Sequence, residues 1–416
     1  MKKEILVYGC LFVLLALLSV MNCEKTITKE VLVYPDTSYV EIGVLVDLRG
    51  DAAAAGEDIL AALQIRTNDL NNQMESLDAL KRLRLVVEDC ATDPDSALTK
   101  LQSLHEQGIE MFIGPVTSES VASILEYANE NEILILSPSS TAISLALPDY
   151  VFRFAPNDTK QSHAIASLMI EDGMKVLVSV NRDEIYGNEL INATRSDFET
   201  LGGVLADSQV YSLDVDDYSA LATDVNSAVA TLLNSYTADQ IAVLLVSFEE
   251  AEEILAAAGT YENLRAIHWY GSDGNAQLSS LITNSSVKEI ATDMHFTAPT
   301  FGENEDSEID DMVRIRVGMS TGHLSVSMDA VFAYDALNVL FLSYIRFTSQ
   351  DRYSLVEIFP VYSQSQYGAS GWGELDQNGD RVYSSYDFYS VLSTGWSRTA
   401  SYHFSPASME GQLIRY

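Results

Sequence analysis

The sequence predicts an α/β protein of two successive lobes, each a doubly wound, Rossmann-like parallel sheet with helices on both faces. Three observations lead there. Short apolar runs alternate with segments whose apolar residues follow helical spacing. That alternation runs through four strands and then starts again near residue 158. The chain has 416 residues, of which 47% are hydrophobic, which is too long for one typical domain and apolar enough for two cores.

In the first unit, Tyr39 to Asp47 reads as a strand, and Ile59, Leu63 and Leu70 then share one helical face. Leu83 to Glu88 is a strand and about Asp95 to Gln107 a helix. Ile109 to Ile113 is the third strand, Val121, Ile124, Leu125 and Ala128 mark a helix, and Ile133 to Leu136 is the fourth strand. The second unit opens with a helix from Thr159 to Asp172, stopped by Gly173. Strand Lys175 to Val180 follows, with a helix running to about Leu201. Strand Val204 to Val210, helix Tyr218 to Ser235, strand Ile241 to Val246, helix Glu249 to Ala258 and strand Ala266 to Tyr270 complete it. Beyond Ile290 the pattern gives one strand, a helix near Asp306 to Gly318 and a long helix from Met328 to Phe347.

Charge excludes one class of partner. Twenty-four Lys and Arg stand against 60 Asp and Glu, a net charge of −36, and such a surface repels phosphate backbones, so nucleic acid is set aside. The N-terminus reads as an export signal: a basic Met1-Lys2-Lys3, then an uncharged apolar run from Ile5 to Val20 that is short for a membrane span. Cys23 directly after this run resembles a lipobox cysteine, although Val20-Met21-Asn22 are not its usual small residues; lipidation, plain cleavage and an uncleaved anchor all remain open. Residues 1–23 are thus the signal and 24–38 a polar linker. With Cys10 in the signal and Cys23 modified, Cys90 would have no disulfide partner. No CxxC, HExxH or HxH cluster offers a metal site, and no motif asks for a cofactor.

Ligands of open α/β sheets bind beyond the carboxyl ends of the strands. In the first unit those loops are Gly114-Pro115-Val116-Thr117-Ser118 and Ser137-Pro138-Ser139-Ser140-Thr141, rich in hydroxyls and opening helices, whose N-termini suit a carboxylate. In the second they are Asp183 to Gly187, Ser247-Phe248-Glu249 and Gly271-Ser272-Asp273-Gly274, which supply aromatic rings and an acid framed by glycines. Hydroxyls facing an acid and aromatics suit an α-amino acid. Taken singly, Ser118 and Thr141 also read as N-caps, Tyr186 as core packing and Asp273 as a turn residue. What sets them apart is that all five loops fall at the same strand ends.

The order of motifs from about Tyr39 to Tyr389 resembles the type I periplasmic-binding-protein family, with its leucine/isoleucine/valine-binding proteins and amino-acid receptor ectodomains. The resemblance is carried by Ile42-Gly43-Val44-Leu45 leading to Arg49-Gly50, Asp93-Pro94 with Ala97, the two hydroxyl loops, and Phe152-Arg153 with Asn157-Asp158. Tyr186-Gly187, Gly271 to Gly274, Ala333-Tyr334-Asp335-Ala336 and the tail from Gly371-Trp372 to Asp380-Arg381 complete it. It implies that Ser118, Ser139 and Thr141 hold a carboxylate, that Asp273 pairs an ammonium and that Tyr186 lies on the ligand backbone. Phe248, or Glu249 if the register slips by one, stands where the family usually has a second tyrosine. The lobe-one disulfide positions are Thr92 and Thr117 here, so Cys90 reads as a small buried hydrophobe. The resemblance also implies lobes joined by three crossovers, lobe one being 39–157 plus 290–382 and lobe two 158–289 plus 383–416.

The function so implied is the extracytoplasmic binding component of an ABC-type importer, working with permease and ATPase subunits and taking an amino acid or similar small polar solute. The alternative is a sensor of the same fold reporting to a receptor or regulator. No second long apolar stretch follows the N-terminal run, which favours the importer. With no G-x-S-x-G, P-loop or G-x-G-x-x-G after the first strand, no enzyme is expected.

Overall fold

The computed structural model describes residues 38–215, 217–302, 307–347, 352–404 and 411–416. The export signal, the linker before Ser38 and Cys23 lie outside them.

The first sheet holds β1 (Ser38–Val46), β2 (Lys81–Asp89), β3 (Met111–Ile113), β4 (Leu134–Ser137) and β5 (Val151–Arg153), in the order β2-β1-β3-β4-β5. β1, β3, β4 and β5 run parallel. β1 is buried from Ile42 to Val46, as a strand covered on both faces must be. Helices Ala53–Ser76, Pro94–Glu106 and Ser118–Glu130 make the crossovers. Asp93 starts the second of these by accepting the amides of Asp95 and Ser96, with Pro94 at the first helical position. The Asp-Pro pair of the sequence is therefore a helix start.

The second sheet contains β6 (Val176–Arg182), β7 (Val204–Tyr211), β8 (Ile241–Val246), β9 (His268–Tyr270) and β10 (Thr297–Phe301). β11 (Tyr367–Gly368) and β12 (Gly371–Trp372) form a separate small hairpin. β13 (Ser385–Leu392), β14 (Gly395–Phe404) and β15 (Gly411–Arg415) then return to the second sheet, whose order is β15-β14-β13-β10-β9-β8-β6-β7. The last three strands are antiparallel, so this sheet is mixed rather than parallel throughout.

One boundary moves. The family resemblance implies a return to lobe one at about residue 290, but Thr297 to Phe301 pairs with β13 along its length and Thr297 with Tyr270 of β9. The second crossover therefore follows β10. The apolar pattern around residue 297 marks a strand equally well in either sheet, and only pairing assigns it. Helices Glu308–Thr321 and Met328–Phe347 then pack on Ala53–Ser76 in lobe one. Within the last of these helices, Met328–Arg346 is the one helical stretch among the described residues long and apolar enough to cross a membrane, yet 72% of it is buried, so it serves as a core helix. Its Asp335 accepts the amides of Ala369 (3.0 Å) and Ser370 (2.7 Å), tying the β11–β12 hairpin to the lobe. Cys90 is buried and free, its thiol pushed up to about 12 by burial.

The two sheets share one winding, 2-1-3-4-5 in the first and 7-6-8-9-10 in the second. Each therefore has its switch point where the crossover direction reverses, between β1 and β3 and between β6 and β8. Doubly wound sheets open a crevice there, outside the carboxyl ends of the strands.

Candidate functional site

A cavity of about 300 Å³ lies at these switch points, bounded by loops of both lobes. All six residues singled out from the sequence line it: Ser118, Ser139, Thr141, Tyr186, Phe248 and Asp273.

On lobe one, the chain turns after β3 at Gly114. Its φ of +97° and a Cβ position only 1.9 Å from the Leu45 carbonyl oxygen admit glycine alone. The N-cap of helix Ser118–Glu130 is Thr117, whose Oγ1 accepts the Ser120 amide at 3.3 Å. Ser118 does not cap the helix. Its buried Oγ accepts the amides of Thr141 and Ala142, each at 3.2 Å, and lies 3.1 Å from Ser140 Oγ. Ser139 Oγ donates to the Val116 carbonyl at 2.6 Å, and Thr141 Oγ1 donates to Asp158 Oδ2 at 2.9 Å. A hydroxyl has one proton to give. Those of Ser139 and Thr141 are engaged within the protein, and the Ser118 hydroxyl is shared with Ser140. The hydroxyls staple the two loops to each other, while the start of helix Ser118–Glu130, whose first amides have no intrahelical partner, lines the cavity. The second loop opens only a short 3₁₀ turn, Ile143–Leu145, and not the helix expected.

On lobe two, Tyr186 sits in the first turn of helix Ile185–Thr200. Its hydroxyl lies 2.6 Å from Asp273 Oδ1 and 2.9 Å from Ser272 Oγ, and accepts the Gly274 amide at 3.3 Å. Its ring stacks on Phe248 at 5.3 Å between centroids and 10° between planes. The Arg182 guanidinium also lies 4.0 Å from the Phe248 ring centre. Gly274 permits this packing, since a Cβ there would be 2.7 Å from the Phe248 ring. The Asp273 amide donates to Gln161 Oε1 at 2.9 Å, and Gln161 Nε2 donates to Asp158 Oδ1 at 2.8 Å. Thr141, Asp158, Gln161 and Asp273 thus form one chain of hydrogen bonds running from lobe one into lobe two. Burial holds the Asp158 carboxyl well above the usual range, and the nearby Asp273 charge adds to that. Burial raises Asp273 too, opposed by its bonds from Tyr186 and Gly274.

The structure adds residues with no motif in the sequence. Asp58, His323, Ser327 and Asp329 form a further wall. Asp58 accepts from His323 Nδ1 (2.7 Å) and from the Ser327 amide (3.1 Å), and Ser327 Oγ donates to Asp329 Oδ2 at 2.7 Å. Asp58 sits within one helix, His323 and Ser327 in the approach to another about 265 positions away and Asp329 in that helix's first turn, and only the fold joins them.

Carboxylates also cross the cleft. Neither helix Ala53–Ser76 nor helix Ile185–Thr200 has a side-chain cap of its own. Glu249 accepts the Ala54 amide (2.9 Å) and Glu119 the Ile185 amide (2.9 Å), so each lobe caps a helix of the other. Glu189 likewise accepts the Ser144 amide, and Arg182 reaches Asp51 at 3.1 Å. The lobes are held together around the cavity.

A family model described as periplasmic binding protein matches residues 39–264. An uncharacterised protein of Methanocaldococcus jannaschii is 27% identical over 376 residues, covering 86% of this chain and 88% of its own. Among solved structures, the leucine binding protein LivK from Thermotoga maritima superposes with a TM-score of 0.74 at 20% identity, over 87% of this chain and 98% of that one. A branched-chain amino acid transporter substrate binding protein, LivJ from Streptococcus pneumoniae in complex with isoleucine, gives 0.71 at 15% identity, over 91% and 100%.

Proposed function

Because the chain belongs to the type I periplasmic-binding-protein family, whose members are extracytoplasmic solute-binding proteins, we propose that it is the binding component of an ABC-type importer for an amino acid or similar small polar solute. One observation carries the reading: a single cavity between two lobes joins a helix start with its hydroxyl loops on one side to Tyr186, Phe248 and Asp273 on the other. In it, the amides at the start of helix Ser118–Glu130, with the loops of Ser118, Ser139 and Thr141, receive a carboxylate. Asp273 pairs the α-ammonium, and the stacked Tyr186 and Phe248 cover the ligand backbone. Permease and ATPase subunits are the implied partners.

A thermal-shift screen of amino acids and small organic acids tests this. A ligand at 100 times its Kd adds about 2.7 kcal/mol to the native state, so a true ligand raises Tm. If organic acids stabilise the protein and no amino acid does, the ammonium half of the reading fails. Binding without any loss of uptake in cells lacking the protein turns the reading towards a sensor.

The proposal extends to the N-terminus, with residues 1–23 as export signal and Cys23 as the lipidated first residue of the mature chain. Mass spectrometry of the mature N-terminus is expected to find a lipid-modified Cys23. An unmodified residue downstream would remove the anchor and leave export standing.

A further inference from the structure

The walls of the cavity carry a strong bias of charge. Asp51, Asp58, Glu249, Asp273 and Asp329 line it against one imidazole, His323, with no lysine or arginine in the lining among the described residues. The apolar remainder is four alanines, Ala52, Ala54, Ala55 and Ala276, with Val116, Leu278 and the stacked Tyr186 and Phe248 rings. A branched aliphatic side chain could pack on this surface but would take carboxylates out of water with nothing in return, whereas an alkyl stem that ends in a cation packs on the same surface and pairs them.

The carboxylates differ in how far they are already engaged. Asp51 is paired to Arg182, Asp58 takes His323 and the Ser327 amide, and Glu249 caps Ala54. Asp273 is the ammonium partner in the amino-acid reading. Asp329 is held only by the neutral Ser327 hydroxyl, on Oδ2 at 2.7 Å, and among the described residues it has no cationic partner. Desolvation pushes this carboxyl up to about 7, and the charges of Asp273 and Asp58 add to the effect. A positive charge beside it would relieve that repulsion. Among the described residues no three His, Cys, Asp or Glu side chains are grouped to hold a metal ion, so the geometry favours an organic cation.

We propose that the ligand is an α-amino acid with a positively charged side chain, of the lysine, ornithine or arginine type, and that Asp329 pairs the side-chain cation while Asp273 pairs the α-ammonium. This rests on the amino-acid reading of the cleft and selects a class within it.

Calorimetric titration of the protein with L-arginine, L-lysine and L-leucine tests the class. A basic amino acid is expected to bind at least about tenfold tighter than L-leucine. Asp329→Asn, which keeps the shape and removes the charge, is expected to weaken that binding by about 10- to 100-fold, with a melting curve beside it to establish folding. If L-leucine binds and neither basic amino acid does, this inference is overturned and the amino-acid reading stands. If none of the twenty amino acids binds, the amino-acid reading itself fails and takes this inference with it. If Asp329→Asn folds and binds L-arginine as tightly as the parent, Asp329 is not the partner. Should that variant fail to fold, the ligand preference of the parent protein decides alone.

Discussion

Replacing Asp273 with alanine is expected to weaken amino-acid binding by roughly 30-fold to several thousand-fold. Removing one partner of a buried charge pair costs about 2–5 kcal/mol, and each 1.4 kcal/mol is tenfold in Kd. The position supports so large an effect. Asp273 sits between Gly271 and Gly274 at the end of β9 and is held by the Tyr186 hydroxyl at 2.6 Å, so its carboxylate is oriented before a ligand arrives. Asp273→Asn separates charge from geometry, because its amide oxygen still accepts from Tyr186; if the charge is what matters, it should lose nearly as much as alanine. Thr141→Ala behaves differently. Its hydroxyl is bonded to the buried Asp158 and not held ready for ligand, so the loss leaves an acceptor unmet and falls on folding, at about 1–3 kcal/mol. Titration of the three variants beside denaturant melts checks both statements. Asp273→Ala binding as tightly as the parent would show that the ligand has no ammonium at this place.

The largest stability effect is expected at the crossovers. Arg153 ends β5, just before the chain first leaves lobe one, and Asp380 lies just before it leaves for the last time. Their side chains are 0% and 1% exposed and meet in a two-point fork, Nε to Oδ1 and Nη2 to Oδ2, both at 2.6 Å. Nη1 donates to the Ala142 carbonyl, and Asn157 donates to Asp380 Oδ2 at 2.9 Å. Asp380→Ala leaves a buried guanidinium without its counter-charge, which typically costs about 3–5 kcal/mol. Arg153→Ala should cost a similar amount. Replacing both residues together with apolar ones is expected to cost less than either single change, since the surviving charge is what makes each single variant unstable. Denaturant midpoints of the two single variants and the double variant test this. Single variants that unfold with the parent would mean the pair contributes nothing to holding the crossovers.

Much of this molecule follows from patterns that are local in sequence. Short apolar runs and period-3.6 spacing place β1 to β4, β6 to β9 and most of the helices between them to within a few residues, because a buried run or face must repeat with the geometry of its element; β5, only Val151–Arg153, is too short a run to read. Gly114, Gly173 and Gly322 occupy left-handed turns where the chain must reverse, so turn chemistry locates the ends of elements. The six cleft residues were legible for a topological reason: a loop following a strand of a doubly wound sheet emerges at one end, so listing those loops lists the candidates. The tertiary structure decided what is non-local. It gave β10 to the second sheet, since a five-residue strand carries no label for its partner and only pairing with β9 and β13 assigns it. It turned the hydroxyls of Ser139 and Thr141 inward, because buried carbonyls and a buried Asp158 claim their single protons first. It also brought Asp58 to His323, Ser327 and Asp329, across a separation of more than 260 residues that no spacing rule spans. Local order is written in periodicity, but the charge of a cavity is the sum of side chains that meet only after the chain has folded.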